Sequence, residues 1–256
     1  MIKEAIFLVV TVCIHELGHA ITASLFGWKI TKISLMPFGG EMVVDSMESK
    51  PLKEEIFVIV AGPLQHAWMI PLIIGSHHLG FISSTDYTLL LFYQISILLF
   101  NLFPILPLDG GRLLYCLLQS LLSIYHAQSF MLVFSCFFLG ALTLITITMF
   151  TFQLNFILML IFLWIHVILL IKQAPYYLIR VWLTRSERSP AKKKVKRVPP
   201  SISIQTGLRM IKRPVTTVFT AGGYEVNEKE ICKRYFAEHH QNSVFGHVGS
   251  RDRRIK

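Results

Sequence analysis

The sequence predicts an α-helical polytopic membrane protein with about five transmembrane helices. A membrane-associated β-hairpin should follow the first helix, and a small α+β cytoplasmic tail domain should close the chain. Three observations carry this. Long runs of Ile, Leu, Val, Ala and Phe recur through the first two thirds of the chain. Of the 256 residues, 53% are hydrophobic and only 16% charged, more apolar side chain than a soluble domain needs to fill its core. The basic residues are also one-sided, with 19 of the 25 Lys and Arg following Ile171.

The first span covers residues 5–26, long enough to cross a bilayer, which takes roughly 20 apolar residues. Between Glu4 and Lys29 its only permanently charged side chain is Glu16, at the centre of "VCIHELGHAITASLF". An ionisable group at membrane depth costs at least ~2.5 kcal/mol on insertion scales, so it usually faces a wet interior and has a function. His15 and His19 lie four apart, which on a helix puts both imidazoles on one face about one turn apart, with Glu16 on the flank. This is the H-E-x-x-H arrangement, in which two neutral imidazoles bind zinc and an unligated glutamate takes a proton from water. Two core histidines that happen to fall four apart would leave the acid beside them unexplained. The polar centre, with no small-residue cleavage pattern after it, also reads against a removable signal peptide.

Residues 28–44, "WKITKISLMPFGGEMVV", alternate, turn at "PFGG" and resume as an apolar strand, which predicts a hairpin whose free edge offers a place for an extended substrate. The remaining apolar spans are 56–74, 88–108, 130–150 and 156–171. By the positive-inside rule the basic C-terminal end is cytoplasmic. Counting back through five spans puts the loop 28–55, with its four lysines, inside and the loop 75–87, with no Lys or Arg, outside. The two assignments agree.

A catalytic zinc takes three protein ligands and leaves one position open. The further candidates in or beside apolar spans are His66, Asp86, Asp109, His126 and His166. Asp109 is set apart by "NLFPILPLDGGR", where two prolines break a membrane helix and two glycines let the chain turn tightly. Broken backbone at that depth is tolerated where it lines a cavity or is buried in protein. His66, in "AGPLQH", faces either the cavity or a neighbouring backbone, while His77, His78 and His166 read as structural. Cys13, Cys116, Cys136 and Cys232 are scattered and suggest neither disulfides nor a cysteine metal site.

The chain then divides into a transmembrane part, 1–184, a basic linker, 185–197, and a tail, 198–256. The linker, "RSERSPAKKKVKR", follows directly on a membrane span and reads as a topology signal touching anionic lipid, not as a nucleic-acid patch. In the tail "PVTTVF" is strand-like, "AGGY" turns the chain, and a helix begins at Asn227 with Glu230 at the capping-box position. About 60 residues make a marginal core, so the tail should lean on a partner, a ligand or a second copy of itself.

Together "HELGHA", "LMPFGGE", "KPLKEE", "AGPLQH" and "NLFPILPLDGG" resemble the site-2 protease family of intramembrane zinc metalloproteases, and within it the sporulation members. The resemblance implies that His15, His19 and Asp109 ligate one Zn2+ ion, that Glu16 is the general base, and that Asn101 helps position substrate or stabilise charge near the metal. It implies a sigma-factor precursor, pro-sigma-K, as substrate. It implies inhibitory membrane partners like stage IV sporulation protein FA and bypass-of-forespore protein A. The setting would be a bacterial cell membrane, the outer forespore membrane, with a CBS-like, nucleotide-responsive tail. Gly222 and Gly223 read as a turn, with no phosphate-cradling loop around them. Family members usually carry a further span before the H-E-x-x-H helix, whereas 14 residues precede His15, so the expectation is a fragment or a late start. Two other classes compete. A membrane metal transporter or receptor would have no use for Glu16, and an M48-like membrane metalloprotease would need a ligating glutamate in a later span.

Overall fold

The computed structural model describes residues 2–36, 39–44, 50–149, 154–187, 192–221, 223–237 and 244–245. The chain forms two compact units, the first built from residues 1–47, 53–114 and 134–168, the second from 48–52, 115–133 and 169–256.

In the first unit, helix α1 (Ile2–Leu25) leads into strands β1 (Ile30–Met36) and β2 (Gly39–Val44), followed by helices α2 (Leu52–His78) and α3 (Ser84–Asn101). The expected hairpin is present: β1 and β2 pair antiparallel, with Ile33 opposite Met42 and an irregularity between Ile30 and Lys32. Of the expected turn, Pro37 and Phe38 lie outside the described residues. The hairpin's base is held by a small core of Ala23, Trp28 and Val58, and the Trp28 indole N–H donates to Glu54 Oε2 at 2.9 Å.

Side-chain contacts set the directions of the first three helices. His19 meets Val58, whereas His15 meets His66, so α1 and α2 run antiparallel. Lys3 pairs with Asp86 at 2.6 Å and Thr11 with Gln94 at 3.2 Å, which makes α3 parallel to α1 and nearly level with it. Ile6, Val9, Leu17 and Ile21 of α1 are exposed on the other side, as suits a face turned to lipid.

Among the described residues four helices are long and apolar enough to cross a membrane: α1, α2, α5 (Ile124–Met149) and α6 (Leu154–Glu187). The expected count of five also takes in α3 (Ser84–Asn101), whose 18 residues fall outside that set. The third expected span, 88–108, is helical only to Asn101, and α3 begins with Ser, Thr and Asp, so 18 residues give about 27 Å of helix with polar ends. After α3 the backbone breaks at Pro104 and Pro107, with a cis Leu106–Pro107 bond, before helix α4 (Asp109–Leu121) begins. The freed backbone groups find partners: Leu106 N–H donates to Ser135 Oγ, and Leu108 N–H to Ile105 O. Ile105 and Leu108 are buried in a cluster with Leu139 of α5 and Leu160, Leu163 and Val167 of α6, which fixes the turn just before Asp109.

In the second unit, strands β3 (Lys193–Arg197), β4 (Thr216–Ala221) and β5 (Tyr224–Asn227) form a sheet in that order, with helices α7 (Ile204–Arg209) and α8 (Glu228–Ala237). β3 runs parallel to β4, and β4 antiparallel to β5. The basic stretch read as a linker thus supplies an exposed strand. The core joins Ile204, Leu208, Phe219, Val226 and Ile231 to Val181 of α6 and Ile124 of α5. The small tail therefore rests on this chain's own helices, which answers the shortage of core that its length predicts.

Helix α8 starts as expected, but the capping box is not made. Asn227 Oδ1 is buried without a hydrogen-bond partner among the described residues, and Glu230 turns to Arg234 at 2.5 Å. The next residue does the anchoring. Glu228 accepts from the Thr217 N–H at 2.6 Å and from Arg185 Nη1 at 3.0 Å, while Arg185 Nη2 also reaches Arg213 O. Burial pushes the Glu228 carboxyl above its ordinary value, with Arg185 and Thr217 pulling the other way.

Candidate metal centre

Four helices of the first unit each bring one part of the site. α1 carries His15 and His19 on its inner face, 2% and 8% exposed, because a spacing of four returns the chain to the same side. Asp109, 7% exposed, comes from the first residue of α4. His15 Nε2 is 3.1 Å from Asp109 Oδ2, His19 Nε2 is 3.3 Å from the same oxygen, and the two Nε2 atoms are 3.3 Å apart. Among the described residues this is the one group of His, Cys, Asp and Glu whose donor atoms converge in the way a metal ion requires.

The donor set fits zinc. Zn–N and Zn–O bonds of about 2.0–2.1 Å in a tetrahedron place neighbouring donors about 3.3 Å apart, close to the 3.1–3.3 Å of the three edges here. The tautomer fits as well. His19 Nδ1 lies 2.8 Å from Val58 O, which can only accept, so Nδ1 carries a proton and the neutral ring presents a bare Nε2 to Asp109. In that form two acceptors face one another at 3.3 Å, which a metal ion or a shared proton between them satisfies.

Close approach makes room for this arrangement. A Cβ on Gly62 of α2 would overlap the Nε2 side of the His19 ring. Side chains at Gly110 and Gly111 would run into the backbone of Leu102 and Ile105, so α4 can begin where it does only because both are glycine.

The other sequence-derived residues fall as follows. Glu16 is half-buried on the flank of the α1 ligand face and interacts electrostatically with His19. Asn101 ends α3, and its Nδ2 donates to Ile97 O at 3.0 Å. His66, 1% exposed, is not in the converging group; its Nε2 lies 3.3 Å from His15 Nδ1, and its Nδ1 lies 2.5 Å from Gln94 Oε1. Asp86 pairs with Lys3, His126 with Ser123, and His166 with Phe162 O, away from the cluster. Sequence reasoning passed over Gln94 and Thr11, both fully buried beside the site. The available signal was a lone amide within an apolar helix.

An H-E-x-x-H pair completed by a distant aspartate, set among apolar helices, defines the site-2 class of membrane metallopeptidases. The model of Peptidase family M50 matches residues 3–78. It is 42% identical over 148 residues to stage IV sporulation protein FB of Bacillus subtilis, covering 57% of this chain and 51% of that protein. It is 40% identical over 120 residues to a zinc metalloprotease of Methanocaldococcus jannaschii, covering 44% and 34%. The solved site-2 protease of Methanocaldococcus jannaschii superposes with a TM-score of 0.52 at 28% identity, covering 63% of this chain and 74% of that one. The chain thus spans about half or less of the length of these two curated relatives.

Proposed function

We propose that the chain is an intramembrane zinc metalloprotease, hydrolysing a peptide bond in or near the membrane segment of a protein substrate. The observation that carries this reading is the convergence of His15 Nε2, His19 Nε2 and Asp109 Oδ2 within 3.1–3.3 Å, buried among apolar helices. In this reading those three side chains hold the ion. Zinc held there would supply Lewis acidity, polarising the scissile carbonyl and making the attacking water easier to deprotonate. Glu16, on the flank of the ligand face, takes the proton from the attacking water and hands it to the leaving amine. Asn101, at the end of α3 just before the turn to Asp109, helps to position the substrate. The β1–β2 hairpin offers an extended substrate a strand to join, and extension uncovers carbonyls that a helix would hide.

The likeness to stage IV sporulation protein FB supports a sporulation sigma-factor precursor, pro-sigma-K, as the particular substrate, with inhibitory membrane proteins as partners. The basic C-terminal stretch supports a cytoplasmic tail.

The test is Glu16→Gln. The amide fills the same volume and cannot accept the proton, so zinc content by elemental analysis should match the parent while cleavage of co-expressed pro-sigma-K falls at least ~10²-fold. Cleavage at the parental rate would remove Glu16 from the mechanism.

A further inference from the structure

The metal-facing cluster is one end of a longer buried chain of hydrogen bonds, and the direction of every link follows from its far end. Thr11 Oγ1 lies 2.9 Å from Phe7 O, a backbone carbonyl that can only accept, so the Thr11 hydroxyl donates there. Its lone pair is then left to accept from the Gln94 amide Nε2 at 3.2 Å. That turns Gln94 Oε1 toward His66, and the 2.5 Å contact makes His66 Nδ1 the donor. His66 Nε2 is left bare and accepts from His15 Nδ1 at 3.3 Å. His15 Nε2, on the far side of its ring, is then free of a proton and faces Asp109. With both imidazoles neutral, no link can be reversed without setting two acceptors against each other.

We propose that His66 is a positioning residue of the metal centre. It holds His15 in the tautomer and ring orientation that present Nε2 to the ion, and Gln94 and Thr11 hold His66 in turn. His66 sits behind His15 and not beside the metal, since it meets Nδ1 and stands outside the converging group. Three polar side chains, each no more than 1% exposed among apolar helices, are costly unless all are satisfied, and here each is. The inference rests on the reading of His15 as a zinc ligand, but not on the role of Glu16 or on any substrate.

The experiment uses the full chain purified in detergent, with Zn2+ affinity measured against a competing chelator and Co2+ absorption spectra recorded for each variant. His66→Leu should weaken zinc binding 10–100-fold, the usual cost of losing an outer partner, and change the Co2+ spectrum. His66→Gln should recover most of both, because its Oε1 reaches the place of the imidazole Nε2 and accepts the same N–H. Gln94→Leu should fall between, and the double variant His66→Leu/Gln94→Leu should be no weaker than His66→Leu, since the links act in series.

Parental zinc affinity in His66→Leu overturns the proposal. So does a His66→Gln protein as weak as His66→Leu, which would make the effect one of packing. Should His66→Leu fail to fold, as judged by gel filtration and helix content, parental affinity in Gln94→Leu overturns it instead. These readouts need no substrate, so a failure of the protease reading in the Glu16→Gln test would leave them standing. Parental zinc affinity in Asp109→Asn, by contrast, would remove the metal-site reading itself.

Discussion

Replacing Gly62 with alanine probes the site through a single methyl group pressed against the His19 ring. An ideal Cβ there would lie 2.9 Å from His19 Cδ2 and closer still to Cε1 and Nε2. Ordinary contacts between such atoms sit at about 3.5–4.0 Å, so the ring must retreat by more than about 1 Å. Its retreat is restrained, because Nδ1 is bonded to Val58 O and the residue is only 8% exposed. Metal–ligand distances tolerate only about 0.2 Å, so a shift of that size withdraws one of three ligands. Zinc retention should fall, and cleavage should drop at least ~10²-fold, the scale of a 1 Å misplacement at a reacting centre. Helix propensity works in the opposite sense, since alanine is favoured over glycine within a helix by about 1 kcal/mol. A loss would therefore not come from a weaker α2. Gly75→Ala is the control, because it lies in the same helix and its Cβ would meet no atom within 4 Å. Metal content and cleavage of a membrane-tethered substrate in proteoliposomes would be measured for both variants. If Gly62→Ala keeps zinc and activity at the level of Gly75→Ala, the crowding of His19 is not what the structure indicates.

Three further outcomes are expected. Asp109→Asn should weaken metal retention and lose activity, because a neutral amide oxygen is a poorer zinc ligand than a carboxylate, and elemental analysis with normal zinc would contradict this. Arg185→Met leaves the buried Glu228 carboxylate uncompensated; losing one partner of such a pair costs about 3–5 kcal/mol, so β4 amides such as Phe219 should exchange at least ~10²-fold faster. Unchanged exchange would mean the pair does not hold the tail. For orientation, single cysteines at the exposed positions Lys29 and Thr85 in a cysteine-free background would be treated in intact cells with an impermeant thiol reagent. With α3 counted as a fifth crossing, labelling should reach position 85 and spare position 29, and the reverse pattern would turn the proposed topology over.

Much of the site was legible because its information is local. A spacing of four residues on a helix fixes that His15 and His19 share a face, whatever surrounds them. A Pro and Gly cluster announces a broken backbone before Asp109 by the same short-range logic, since proline lacks the N–H a helix needs. Apolar run length likewise announced α1, α2, α5 and α6. It overran the end of the third span, because apolar length takes no account of where prolines end a helix.

The remainder lay in contacts between helices, which no local pattern encodes. That Asp109 closes on His15 across 94 residues depends on Ile105 and Leu108 being packed against α5 and α6, and on glycines at 110 and 111 letting backbones touch. His66 was one candidate among several in sequence, and only the packing of α1 against α2 sets it behind His15 with Gln94 at its back. The tail's lack of core was predictable from its length, whereas its remedy, the end of α6 and the start of α5, was not. Sequence alone determined which residue types could do the chemistry and which faces they occupy, because helical periodicity is set by the backbone. Which of them meet was decided by tertiary packing, because a buried polar group takes its role from the one partner that satisfies it.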